Sequence, residues 1–345
     1  MLRCDAVFEG GGVKGIGLVG AVAATEELNY EFCNVAGTSA GAIVAALVAA
    51  GYRASELRHI MRSLDYAEFK DKGLLDHIPV FGKVFSLGIE KGIYEGAFLE
   101  HWLREKLAAK GKHSFKDLII EEHQDSPRYR YKLQVIAADI SRSKLLVLPH
   151  DIRDYGIDPD DLDIAHAVRM SMSIPFFFEP VTLPLAGSGP DCYIVDGGVL
   201  SNFPIHLFDD GTSDPPWPTF GYMLAETPDA LGREVSHEVL GPFSLLASLF
   251  VTMMEAHDRM YLANSAFVRT IMIPTLGVKT TDFDLSSLRA EALYQSGLRA
   301  GREFFSTWDF GRYKAAFRQV AEKNRREMLL VAADNVRQDS SERPV

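Results

Sequence analysis

Gly37-Thr38-Ser39-Ala40-Gly41 sets a serine between two glycines, each two positions away, in the pattern G-x-S-x-G. Between a strand and a helix that pattern makes a nucleophile elbow, a turn so sharp that Gly37 and Gly41 must carry no side chain. Ser39 would project its hydroxyl above a sheet, at the positive end of the helix that follows. Acyl transfer also needs backbone N–H groups aimed at the oxyanion of the tetrahedral intermediate, and Gly10-Gly11-Gly12 could present them without obstruction. The third need is a base. Tyr193-Ile194-Val195-Asp196-Gly197-Gly198 delivers Asp196 to the C-terminal end of a short apolar strand, where active sites of parallel sheets open, with two glycines clearing space beside it. An aspartate with a reference pKa of about 3.9 is a poor base for serine in water, and partial desolvation would improve it. Lys14 either supports the glycine loop or is a solvated surface lysine.

The elements that must hold these residues alternate. Cys4 to Phe8 suits a strand, followed by the glycine turn and a small-residue helix from Ile16 to about Leu28. Phe32 to Ala36 suits a second strand, followed by the elbow and an Ala/Val-rich helix from Ala42 to Ala50 that Gly51 ends. Strand and helix in alternation predict a mainly parallel sheet with helices on both faces. Further helices are expected over residues 52–71 and 97–110, the latter with Phe98, Trp102, Leu103 and Leu107 on one face. Tyr131 to Ala138 and Lys144 to Leu148 suit two more strands. The aspartates between Asp158 and Asp163 lack the glycine and distal glutamate of a calcium loop and fit caps for a helix from Ile164 to Met172. Residues 74–93 are rich in glycine and large apolar side chains with no clear period, which suits a packed loop or a mobile cover over an apolar pocket. Residues 184–191 and 209–218 are expected as surface loops, residues 301–338 as amphipathic helix and 339–345 as a polar tail.

A formal charge of -11 over 345 residues argues against nucleic acid, whose binding needs clustered Lys and Arg, and weakens electrostatic docking to an anionic bilayer. Three widely spaced cysteines, Cys4, Cys33 and Cys192, show neither pairing nor metal-ligand rhythm and fit a reducing compartment. The first residues lack the order of a signal peptide, so a cytoplasmic protein is expected. The longest nearly uncharged apolar stretch, Gly241 to Met254, is fourteen residues, short of the roughly 20 that span a bilayer, and suits a buried helix.

Two other chemistries compete. Gly10, Gly12 and Gly15, and again Gly15, Gly17 and Gly20, satisfy the G-x-G-x-x-G of dinucleotide binding, with Glu31 as a ribose holder that begins the next strand and does not end it. An ordinary Ser-His-Asp hydrolase would share the elbow but need a late histidine, for which His206, His237 and His257 are available without a convincing motif. A fold that has lost turnover is a third possibility.

EGGGVKG, GTSAG and DGG in this order resemble the patatin-like phospholipases, from about Cys4 to Pro204. The stretch Ala167 to Pro175, leading to Phe178-Glu179-Pro180, also looks like that family's segment between nucleophile and aspartate. Glu9 is a departure, because many members carry aspartate there. The resemblance implies a modified α/β hydrolase fold over residues 1–310, with 311–345 as a helical extension and tail. It also implies Gly10, Gly11 and Gly12 for the oxyanion, and a Ser39–Asp196 dyad with neither metal nor cofactor. The implied activity is hydrolysis of phospholipid acyl esters to fatty acid and lysolipid, through an acyl-enzyme on Ser39 and transient contact with a membrane surface. Acyl position, headgroup, acceptor, oligomeric state and the role of residues after about 209 are left open.

Overall fold

The computed structural model describes residues 1–63, 96–175, 177–187, 189–209, 214–226, 252, 267–280, 282 and 285–315. The expected cover at 74–93, His237, His257, most of the apolar stretch at 241–254 and the chain after 315 lie outside these residues. Among the described residues eight strands form one sheet: β1 (Leu2–Phe8), β2 (Tyr30–Thr38), β3 (Leu133–Asp139), β4 (Lys144–Leu148), β5 (Val181–Pro184), β6 (Asp191–Asp196), β7 (Thr219–Ala225) and β8 (Thr270–Pro274). Their order is β5-β6-β3-β2-β1-β7-β8, with β4 paired to β3 off this path. β8, β7, β1, β2 and β3 run parallel, and β4, β5 and β6 pair antiparallel. The main helices are α1 (Gly15–Glu27), α2 (Ala40–Ala49), α3 (Ala54–Ser63), α4 (Ala97–Ala109), α5 (Ile164–Ser171) and α6 (Ser287–Thr307). Among the described residues none is long and apolar enough to cross a membrane.

Strand alternation sorts the core into two faces. Ala6 and Phe8 of β1 and Tyr222 and Leu224 of β7 join a large apolar cluster with α1, α2 and α6. Val7, Ala36 and Met223, one residue out of step, meet Phe203, Ile205 and Phe208 on the other face. All of α2 is buried, which explains why its sequence is apolar on every side rather than striped. On α4 the buried line is Leu99, Leu103 and Leu107, with Phe98 and Trp102 flanking it, one position off the expected stripe.

The second glycine series proves to be a helix contact. A Cβ on Gly20 would strike the Tyr294 carbonyl of α6, and one on Gly297 would strike the Gly17 carbonyl of α1. Small residues at 17, 20, 297 and 301 thus let two backbones touch, and Gly17 and Gly20 are filled by protein.

The aspartate run behaves as caps. Asp163 accepts the His166 N–H at 2.8 Å at the start of α5, and Asp158 accepts the Asp160 N–H at 2.9 Å.

Candidate active site

Ser39 stands between β2 and α2 at φ 54°, ψ -128°, a left-handed backbone that costs a non-glycine residue on the order of 1–3 kcal/mol. Close packing explains the flanking glycines. A Cβ on Gly37 would collide with the Gly41 carbonyl, and one on Gly41 with the carbonyls of Phe8 and Glu9. The strained turn is held from outside by α5: the Ser39 N–H donates to Ser171 Oγ at 2.9 Å, and Ser171 Oγ donates to the Ile136 carbonyl at 2.5 Å. The Ser39 hydroxyl caps no N–H of its own helix and donates instead to Met172 Sδ at 3.5 Å, a weak acceptor that surrenders the proton's direction cheaply.

Asp196 reaches this turn by an arrangement the sequence did not disclose. Val135 and Ile136 of β3 pair on one edge with Gly37 and Thr38 of β2, and on the other with β4. Beyond the end of β2, Ala137 to Asp139 pair on that same first edge with β6, Asp196 opposite Ala137. β6 runs antiparallel to β3, so the expectation of a parallel strand is corrected: β2 and β6 lie head to head along one edge, and their C-terminal ends bring Ser39 and Asp196 together.

The Asp196 side chain is fully buried; Oδ1 accepts the Gly198 N–H at 2.8 Å and Oδ2 holds no hydrogen bond among the described residues. Burial pushes its pKa up to about 7, opposed by the nearby Ser39 hydroxyl and by the Gly198 N–H, which favour the charged form. Its own N–H donates to the Ser173 carbonyl at 2.9 Å. Of three successive residues, Ser171 and Met172 therefore contact Ser39 and Ser173 contacts Asp196.

Gly10 lies against the serine, since a Cβ there would sit 3.0 Å from Ser39 Cβ. Its N–H donates to the Asn202 carbonyl at 3.2 Å, whereas neither Gly11 nor Gly12 donates an N–H to any described residue. Gly12 has φ +55°, and a Cβ on it would strike the Thr280 carbonyl, which also accepts the Val13 N–H at 3.2 Å. Chain packs over the loop where a dinucleotide pyrophosphate would have to lie. The loop is anchored by Glu9, a buried carboxylate that accepts the Asn202 side-chain N–H at 3.3 Å and the Leu224 backbone N–H. Lys14 is 8% exposed and its stem lies against Gly11, so it supports the loop rather than lying free in solvent. His206 bonds Asp209 Oδ2 at 3.0 Å and Arg269 at 3.2 Å, a polar cluster at Asp209. Ser171, Asn202 and Arg269 were not singled out from sequence, and Glu9 was noted only as a departure from the family's aspartate; the hint for Ser171 was the Ala167–Pro175 stretch, which had no assigned role.

A family model described as "Patatin-like phospholipase" matches residues 6–209, more than half of the chain. The chain belongs to the patatin-like phospholipase family. It is 36% identical over 314 residues to the uncharacterized protein YqhO of Bacillus subtilis, spanning 89% of this chain and 99% of that one. It is also 23% identical over 301 residues to the uncharacterized protein R571 of Acanthamoeba polyphaga mimivirus, spanning 86% and 91%. The solved structure of VipD from Legionella pneumophila has the same fold, with TM-score 0.52, 18% identity and coverage of 88% of this chain and 67% of VipD. The family match ends at 209, where the sequence motifs also run out.

Proposed function

We propose that this patatin-like protein hydrolyses carboxylic acyl esters of phospholipids through a Ser39–Asp196 dyad. The observation that carries the reading is the head-to-head meeting of β2 and β6, which leaves a buried carboxylate oxygen, without a hydrogen bond among the described residues, beside a serine held in a strained elbow. Asp196 Oδ2 takes the hydroxyl proton as Ser39 Oγ bonds to the ester carbonyl carbon. The N–H groups of Gly11 and Gly12 receive the oxyanion, a narrower set than Gly10 to Gly12, because the Gly10 N–H is already given to Asn202. Collapse breaks the acyl–oxygen bond, and Asp196 returns the proton to the leaving lysolipid. Water then attacks the acyl-enzyme, gives its proton to Asp196 and releases the fatty acid, while that proton passes back to Ser39.

Serine and aspartate suffice for each proton transfer, so no metal or cofactor enters the proposal. Membrane contact is brief and apolar, given the acidic balance of the chain. The test is mass spectrometry of products from a mixed panel of phospholipids and neutral lipids, with Ser39→Ala in parallel. Fatty acid and lysolipid that vanish in the variant support the proposal. Products that persist in Ser39→Ala, or release from neutral lipids alone, overturn it.

A further inference from the structure

A second buried carboxylate lies away from this site. Asp5, in the middle of β1, is 3% exposed and accepts the Asn34 N–H at 3.0 Å. Asn34 precedes Ser39 by five residues of β2, about 16 Å of extended chain at roughly 3.3 Å per residue. Asp5 makes no ion pair among the described residues, although buried charges are ordinarily paired. It lines a cavity of about 130 Å³ together with Tyr129, Phe208, Asp209, Trp217 and Tyr313. Asp209 does not supply a free charge there, because Arg269 holds it by two N–H bonds of 2.6 Å. What the cavity offers an entering molecule is an acid that no cation among the described residues offsets, although the Trp217 indole N–H also favours its charged form, together with an aromatic wall and the His123 imidazole at its lining.

That combination suits a cation. Aromatic rings attract positive charge through their quadrupoles, most strongly when water is excluded, and quaternary ammonium groups are the usual guests. The indole at this cavity shows the attraction already, since the Arg3 guanidinium lies 5.7 Å from the Trp217 ring centroid. Tyr129 is fixed in the wall by donating its hydroxyl to the Phe208 carbonyl at 2.8 Å, so one side of the cavity is built before any guest arrives. Phe208 and Asp209 close the segment that begins at Asp196, runs past Asn202 and packs Phe203 and Ile205 under the sheet. The cavity is thus a structured part of the fold, separate from the serine.

We propose that this cavity binds a small organic ammonium ion, with Asp5 as counter-charge and Tyr129, Phe208, Trp217 and Tyr313 as its aromatic wall. The inference is independent of the ester hydrolysis proposed above.

The test is isothermal titration calorimetry of the full chain with choline, with ethanolamine and with 3,3-dimethyl-1-butanol, the uncharged isostere of choline. Choline should bind at least about tenfold more tightly than the alcohol, a difference only the charge can supply. Asp5→Asn, nearly isosteric, and Trp217→Leu should each weaken the ammonium by about tenfold or more while a soluble ester is still hydrolysed within about twofold of the parent rate. A further titration of the Ser39→Ala chain, which cannot form the acyl-enzyme, with a short-chain phosphatidylcholine separates a free amine from a lipid headgroup. Equal binding of the alcohol, unchanged affinity in a folded Asp5→Asn or Trp217→Leu chain, or no heat from any ammonium up to about 10 mM would overturn the proposal.

Discussion

Asp196 at the end of β6 and Asp5 in the middle of β1 invite comparison. Both carboxyls are almost wholly buried, neither meets a cation among the described residues, and burial pushes both up to about 7. Their neighbours divide them. Asp196 has a free oxygen beside a hydroxyl on a strained turn, whereas Asp5 has a strand N–H and the Trp217 indole N–H favouring its charged form and an aromatic cavity in front of it. A displaced pKa therefore marks a site without naming its chemistry, and the adjoining nucleophile decides between a base and a counter-ion.

The comparison breaks first on activity. Asp196→Asn and Ser39→Ala should each lower turnover of a p-nitrophenyl ester by about 10⁴-fold, while Asp5→Asn changes it by less than about twofold. Equal losses in the two aspartate variants would erase the distinction. A smaller effect is expected at the clamp. Ser171→Ala deprives the Ser39 N–H of its acceptor and should reduce kcat by about 10- to 100-fold with KM nearly unchanged, with partial recovery in Ser171→Thr. A purely structural role would instead lower the fraction folded and leave kcat per folded molecule as it was.

The pH profile sharpens the roles further. With Asp196 acting as carboxylate in the proposed dyad, kcat/KM should rise about tenfold per pH unit until about 7 and then level off. Asp5→Asn should leave that inflection in place. For stability the sign is opposite to that of a salt-bridged acid. The folded chain holds the Asp5 proton more tightly than the unfolded chain, so its contribution is intact below about pH 4 and is lost as pH rises to about 7. Parent stability relative to Asp5→Asn, from urea melts at several pH values, should therefore fall by about 1.4 kcal/mol per pH unit across that window. The smallest effect is none at all, since EDTA should leave ester hydrolysis unchanged; loss that calcium restores would contradict the mechanism.

What was legible in the sequence is what local chain chemistry writes. The elbow, the glycine loop, the capping aspartates and most strands follow from spacing within about ten residues, and they are found within a few positions of expectation. The direction of β6 was not legible, because a six-residue apolar strand looks the same whichever way it pairs. Ser171 and Asn202 were missed for a related reason: a serine at a helix end and an asparagine in a loop acquire meaning only when a partner distant in sequence arrives. Gly17 and Gly20 misled in the opposite sense, since glycine for close helix approach and glycine for close phosphate approach leave one signature. The cavity at Asp5 draws on positions from 5 to 313, too scattered for any motif.

One consequence follows from β2 and β6 sharing an edge of β3. Both strands are measured against the same ruler, so the gap between serine and aspartate is fixed by two registers and not by the length of chain between them. Inserting a few residues near Gly187, at the tip of the β5–β6 connection, should be tolerated, whereas adding one residue inside Tyr193 to Val195 would turn the carboxyl to the opposite side of the sheet.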